Sequence, residues 1–208
     1  MSKKILALFD FCETLINFQS LDRYLQLAAL ENVHCNEAEN IARRQSFANA
    51  NMPYPRYEAL IDFDIQKATS LAKNFVFGDI LAGINQRVLD KLFFHQDRGD
   101  EIVIVSGGLS IYINEFAKIY GVTNIVAVDL EVVSNKLTGN IDGIHTMQER
   151  KLYKLAQTFD LNEYDLKDSY VYSDCVSDIP LLSLVGNARV VSCGKDLKWA
   201  KILRFEIL

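Results

Sequence analysis

Four short polar clusters in this 208-residue chain each stand where an apolar run stops. The first follows "LALF": Asp10, Phe11, Cys12, Glu13 and Thr14, a single carboxylate delivered by a strand-like run, with a thiol two residues on. The second is Ser106, Gly107 and Gly108, a hydroxyl and two small residues that open a helix-like stretch. There an Oγ atom and backbone N–H groups can meet an anion, helped by the helix N-terminus. The third is Lys151, at the head of "KLYKL", and the fourth is "SDCVSDIPLL", which sets Asp174 and Asp178 at the start of a helix. Singly, each has a plain structural duty open to it. A carboxylate after a strand caps a helix, Ser-Gly-Gly makes a turn, and a lysine solvates a helix face. Their order, each at a strand end where open α/β sheets bind ligands, is what points to one site.

The elements that must position these clusters are legible in outline. "KILALFD", "EIVIVSG", "NIVAVDLEVV", "SYVYSD" and "ARVVSC" read as buried strands, being β-branched or aromatic and followed by polar turns. Between them "INQRVLDKLFFHQDRG", "GLSIYINEFAKIYG" and "MQERKLYKLAQTFD" read as helices. That alternation predicts crossover units and a mainly parallel sheet. "SNKLTGNIDG" carries the turn residues of a β-hairpin flap. Residues 17 to 87 break the rhythm, with "SLDRYLQLAALENV", "NEAENIARRQSFANA" and "YEALIDFDIQKATSLAKNF" all helical in character and "NMPYPRY" a loop, since Pro53 and Pro55 each remove a helix donor. The expected organisation is a core of residues 1–16 and 88–208, with a helical cap of 17–87 inserted after the first strand.

Composition excludes several classes. Half the residues are hydrophobic and 24% charged, an ordinary globular balance. The formal net charge of −5, with no block of Lys and Arg to neutralise phosphates, speaks against a nucleic-acid partner. The apolar stretches fall short of the ~20 residues a membrane helix needs, so no membrane partner is expected. The run after "MSKK" meets Asp10 too early for a signal peptide. Cys12, Cys35, Cys175 and Cys193 show no metal-like spacing, nor do His34, His95 and His145. A reduced, cytoplasmic protein is the expectation.

The succession Asp10, Ser106, Lys151, Asp174 and Asp178 resembles the haloacid dehalogenase superfamily, specifically its phosphoserine-phosphatase-like branch. The helical segment after the first motif, the hairpin flap and the closing "CGKDLKWAKILRFEIL" share in the resemblance, which covers essentially the whole chain. It implies an α/β fold, a Rossmann-like three-layer core with a mainly parallel sheet, and a Mg2+-dependent phosphatase acting on a small phosphorylated metabolite. Asp10 would be the nucleophile and form an aspartyl-phosphate. Magnesium would be held by Asp10, the backbone carbonyl of Cys12 and Asp174, with Asp178 in support, hard oxygen ligands of the kind it prefers. Lys151 would supply a cation to Asp10 and the phosphoryl oxygens. Ser106 and the N–H of Gly107 would hold the phosphoryl group, and Thr14 would fix the first loop.

Two positions depart from the pattern. The family's phosphatases carry an aspartate two residues after the nucleophile, acting as general acid and then base; here Cys12 stands there. A free thiol has a pKa of about 8.5 and suits neither role near neutrality. Three readings follow: a phosphatase that is slow or restricted to good leaving groups, a phosphotransferase, or a phosphate-ligand binding or regulatory protein. Glu13 is a neighbouring carboxylate, expected to point away from the site. The second departure is Gln19, neutral where phosphoserine phosphatases carry a glutamate for the substrate's ammonium, so phosphoserine is not the expected substrate. Arg43, Arg44 and Arg56 are candidates to meet an acidic substrate, against the simpler duty of solvated surface residues.

Overall fold

The computed structural model describes residues 3–32 and 57–208. The predicted helix over 36–50, together with Arg43, Arg44 and Arg56, lies outside the described residues.

Strand β1 (Leu6–Phe9) is fully buried, and its side chains alternate between two cores. Ala7 and Phe9 face one cluster with Phe11, Tyr24, Phe75 and Tyr112; Leu6 and Leu8 face the other with Val103, Leu155 and Leu182. A strand covered on both faces has no solvent side, which is why its sequence reads as an unbroken apolar run. The remaining strands are β2 (Glu101–Leu109), β3 (Asn124–Val133), β4 (Lys136–Asp142), β5 (Tyr170–Ser173), β6 (Asn187–Val190) and β7 (Glu206–Ile207). Their order across the sheet is β4-β3-β2-β1-β5-β6-β7. All pairs are parallel except β3 with β4, the predicted hairpin.

The helices are α1 (Ser20–Glu31), α2 (Ile65–Phe75), α3 (Gln86–Arg98), α4 (Ser110–Ile119), α5 (Arg150–Thr158), α6 (Ile179–Leu182) and α7 (Lys198–Ile202). Residues of α1 to α4 enter the first core, and residues of α5 to α7 the second. The result is the expected three-layer α/β arrangement. α3 stops at Gly99, whose φ of 76° needs no Cβ to be accommodated.

Two expectations are corrected. The stretch 57–75 is not one helix: a short turn at Glu58–Leu60 is followed by α2, which begins only after Asp64. Asp64 accepts the N–H groups of Gln66 and Lys67, so its carboxylate starts a new helix instead of continuing an old one. Likewise Ser106–Gly108 do not open a helix. β2 runs through them to Leu109, with a shift of register against β3 between Val105 and Leu109, and α4 starts at Ser110. Gly108 packs against the fully buried Tyr112, and Gly107 against the more flexible end of Met147. A Cβ on Gly107 would come 2.3 Å from Met147 Sδ, and one on Gly108 2.3 Å from Tyr112 Oη.

Candidate functional site

β1 and β5 are parallel neighbours with Phe9 opposite Tyr172, so Asp10 and Asp174 leave the sheet side by side at its C-terminal edge. Asp10 N–H still donates to Tyr172 O at 2.9 Å, which holds the carboxylate at the strand end. Thr14 ties the two acids together. Its Oγ1 accepts Asp174 N–H at 3.1 Å and lies 3.3 Å from Asp10 Oδ2 and 3.2 Å from Asp174 Oδ1. One hydroxyl proton serves both carboxylates.

Lys151, the second residue of α5, is buried and reaches under the sheet edge. Its Nζ stands 2.7 Å from Asp10 Oδ1 and 2.7 Å from Asp178 Oδ2. Ser173 Oγ donates to the same Asp178 oxygen at 2.6 Å. Ser106 Oγ is buried and accepts Gly108 N–H at 3.0 Å, while Ser106 O accepts from Thr146 Oγ1 at 2.6 Å. Asp10, Cys12, Gln19, Ser106, Gly107, Lys151 and Asp174 all line one cleft of about 160 Å³. A wider groove of about 650 Å³ lies where β2 and β3 begin, but its acids, Asp100 and Glu101, are paired with His95, Arg98 and Lys4. The small cleft at the strands' C-terminal ends is the place where such sheets bind ligands.

Charge in the cleft is unbalanced. Burial pushes Asp10 up to about 7 against the pull of Lys151, and the carboxylates of Asp178 and Asp174 add to the rise. Burial alone would lower the Lys151 ammonium, yet Asp10 and Asp178 outweigh it and hold the group charged. Asp178 Oδ1 is buried with no hydrogen-bond partner among the described residues, an oxygen of the kind that a cation or its water shell satisfies. No three His, Cys, Asp or Glu side chains among the described residues form a closed metal cage. Magnesium does not need one, since it commonly takes one or two carboxylates and keeps several waters. Asp10, Asp174 and the carbonyl of Cys12 fit that pattern.

Cys12 stands within the site but is held by other groups. Its Sγ lies 3.1 Å from Ser20 Oγ and accepts Ser20 N–H at 3.4 Å, and Ser20 Oγ donates to Tyr112 Oη at 2.9 Å. Burial pushes the thiol up to about 11, with the Ser20 hydrogen bond offsetting part of the rise. Gln19 lines the cleft and donates its amide to Glu13 instead of capping α1. Glu13 does not line the cleft, yet it touches two residues that do, Gln19 and Lys195.

Sequence reasoning missed Lys195, Ser173, Ser177, Ser20 and Tyr112. Lys195 Nζ stands 2.7 Å from Asp174 Oδ2. The available signal was topological: β6 lies beside β5, so the loop after β6 shares the sheet edge with Asp174. Ser177 lines the cleft inside the "SDCVSDIPLL" motif, where the two aspartates drew attention away from it. His95 is a buried residue between Asp100 and Tyr172, outside the cleft.

Comparison with known proteins places this geometry in a family. The chain is 28% identical to a histidinol-phosphatase of Neisseria meningitidis, over 94% of this chain and 93% of that one. It is 25% identical to a phosphoserine phosphatase of Methanocaldococcus jannaschii, over 94% and 88%. Among solved structures, a protein of unknown function from Bordetella pertussis superposes with a TM-score of 0.81, at 22% identity and 100% and 99% coverage. A substrate-bound phosphoserine phosphatase complex superposes at 0.65, with 24% identity and 97% and 91% coverage, a likeness of fold. The model of the haloacid dehalogenase-like hydrolases matches residues 7–183, from β1 through α6, which includes Asp10, Ser106, Lys151, Asp174 and Asp178. The chain therefore belongs to the haloacid dehalogenase-like hydrolase family, on its phosphoserine-phosphatase-like side.

Proposed function

We propose that this hydrolase is a magnesium-dependent phosphomonoester phosphatase that works through an aspartyl-phosphate on Asp10. The observation that carries the reading is the Asp10–Lys151 pair on the floor of the cleft, 2.7 Å apart, beside Ser106 and Gly107. In this reading one Asp10 oxygen attacks phosphorus, the P–O bond to the substrate alkoxide breaks, and water later cleaves the acyl phosphate. Lys151 favours the ionised form of Asp10 against the effect of burial and offers its remaining N–H to a phosphoryl oxygen. Ser106 Oγ–H and Gly107 N–H receive the other oxygens. Magnesium, held by Asp10, Asp174 and the Cys12 carbonyl, would supply the positive charge that lets a phosphate dianion approach these carboxylates.

The cap assignment, residues 17–87, belongs to the same reading. Its support is that the described elements between β1 and α3 are helices and turns, and that Gln19 and Leu21 help line the cleft. The substrate class is a small phosphorylated metabolite, in keeping with the cleft's size and with relatives named for histidinol phosphate and phosphoserine. The Gln19 amide, committed to Glu13, presents no carboxylate to a substrate ammonium.

One observation favours a second reading. With Cys12 neutral and engaged by Ser20, the site lacks the usual proton donor, as a phosphate-binding regulator would. Phosphate release from an aryl phosphate, with and without Mg2+, decides between them. Metal-dependent release lost in Asp10→Asn supports the phosphatase. Phosphate-ligand binding without release from any phosphomonoester supports the regulator.

A further inference from the structure

Lys195 has no part in the chemistry assigned to Asp10, yet it holds the buried acid beside it. Its Nζ lies 2.7 Å from Asp174 Oδ2 and 2.6 Å from Glu13 Oε2. The two partners differ in kind. The Asp174 side chain is 1% exposed and that of Glu13 22%, while Lys195 itself is 43% exposed. The ammonium thus joins a buried carboxylate to one with access to water. Glu13 meets it from a left-handed backbone with φ 57°, a conformation that non-glycine residues seldom adopt. The Gln19 amide donates to the same Glu13 oxygen and steadies it there.

An ion that takes Asp174 Oδ2 must replace the ammonium on that same oxygen, and Lys195, 43% exposed, is free to leave; Lys151 is buried between Asp10 Oδ1 and Asp178 and leaves the other Asp10 oxygen open. The local charges make the same point. Asp10, Asp174, Asp178 and Glu13 are four acids, and Lys151 and Lys195 two bases, which leaves the cluster two positive charges short. An ion that takes Asp174 meets the shortfall and repels Lys195. Glu13 is the partner left to hold the displaced ammonium at the cleft rim.

We infer that Lys195 is a tethered counter-ion of the metal position: it holds Asp174 in the ion-free protein, and Mg2+ binds by displacing it onto Glu13. The affinity for the ion is then set by this exchange. The inference rests on the reading of Asp174 as a magnesium ligand.

Calorimetric titration of the whole protein with MgCl2 tests it, comparing wild type with Lys195→Met, which keeps an unbranched apolar stem. With the competitor removed, the variant binds Mg2+ at least about tenfold more tightly. Its metal-free Tm is lower than that of wild type and recovers as Mg2+ is added. A second readout needs no substitution. Amine labelling of Lys195 in the wild-type protein, read by peptide mass spectrometry, becomes severalfold faster, on the order of threefold, at saturating Mg2+ as one carboxylate is withdrawn from the ammonium. Equal or weaker Mg2+ affinity in Lys195→Met, or labelling that Mg2+ leaves unchanged or slows, overturns the role of Lys195 and leaves the metal reading standing. Mg2+ that binds neither protein overturns the metal reading and this inference with it.

Discussion

The Cys12 thiol lies 3.1 Å from the Ser20 hydroxyl and also accepts the Ser20 backbone N–H, so the second residue after Asp10 is built into the start of α1. Ser20 Oγ also reaches Tyr112 Oη at 2.9 Å, so the thiol, the serine and the tyrosine form one hydrogen-bonded row. Cys12 is therefore a neutral thiol engaged in a row of hydroxyls, not a group that exchanges protons with a substrate. Any reaction in the cleft runs with the proton-transfer position silent.

Restoring a carboxylate there gives a direct expectation. Cys12→Asp raises kcat on an alkyl phosphate by about 10²-fold, the lower end of what general acid–base help supplies. The gain is smaller on an aryl phosphate, whose leaving group departs without a proton. Steady-state kinetics on the two substrates check this, and equal rates for wild type and variant on the alkyl phosphate would contradict it.

The thiol's own titration has a defined sign. Its folded pKa, about 11, stands above the ordinary thiol range of about 8.5–9. The group's contribution to stability is thus fully present below pH 9 and is lost as pH rises through about 11. Iodoacetamide labelling of Cys12, followed by peptide mass spectrometry, stays slow at pH 9 in the folded protein and fast in urea-unfolded protein. Equal labelling in both states at pH 9 would refute the assignment.

Lys151 is expected to carry structural weight as well as charge. Lys151→Met leaves Asp10 and Asp178 buried against each other without their shared cation, at a cost of about 3–5 kcal/mol. The double variant Lys151→Met, Asp10→Asn removes one of those charges and recovers part of the loss, because residues in one ion-pair network do not behave additively. Urea unfolding of wild type, Lys151→Met, Asp10→Asn and the double variant measures the coupling. Strictly additive losses would show that the pair does not act as a unit.

Far from the cleft, Gly186 packs against the backbone before β5. A Cβ at this position would lie 1.9 Å from Lys167 O, with no flexible side chain to give way. Gly186→Ala is expected to cost about 2 kcal/mol through overpacking. It shows as a lower urea midpoint with little change in the slope, and an unchanged midpoint would mean that the loop at Lys167 moves freely.

Local pattern carried much of this protein. The unbroken apolar run of β1 announced a strand buried on both faces, and each chemical cluster announced itself by interrupting such a run. Parallel strands with crossovers then placed Asp10 and Asp174 on one edge almost by necessity, because strands of one direction end together. Where two local structures were compatible with the same residues, pattern alone misled. Small residues at Ser106–Gly108 fit a helix start and an irregular strand equally, and in the fold they continue β2, which pairs again with β3 at Leu109 beyond the register shift. Asp64 read as one more polar residue in a helix until its position made it a cap.

What the sequence determined by itself was the fold class and the order of its acids, its lysine and its hydroxyl, since both follow from short-range alternation of polar and apolar residues. What only the tertiary structure decided was which distant side chains share charge with that site. Glu13 and Lys195 are 182 residues apart, and Ser20 and Tyr112 are 92 apart. Their contacts depend on strand order, on the left-handed turn at Glu13 and on how α1 and α4 pack, and an ion pair leaves no periodic trace along the chain.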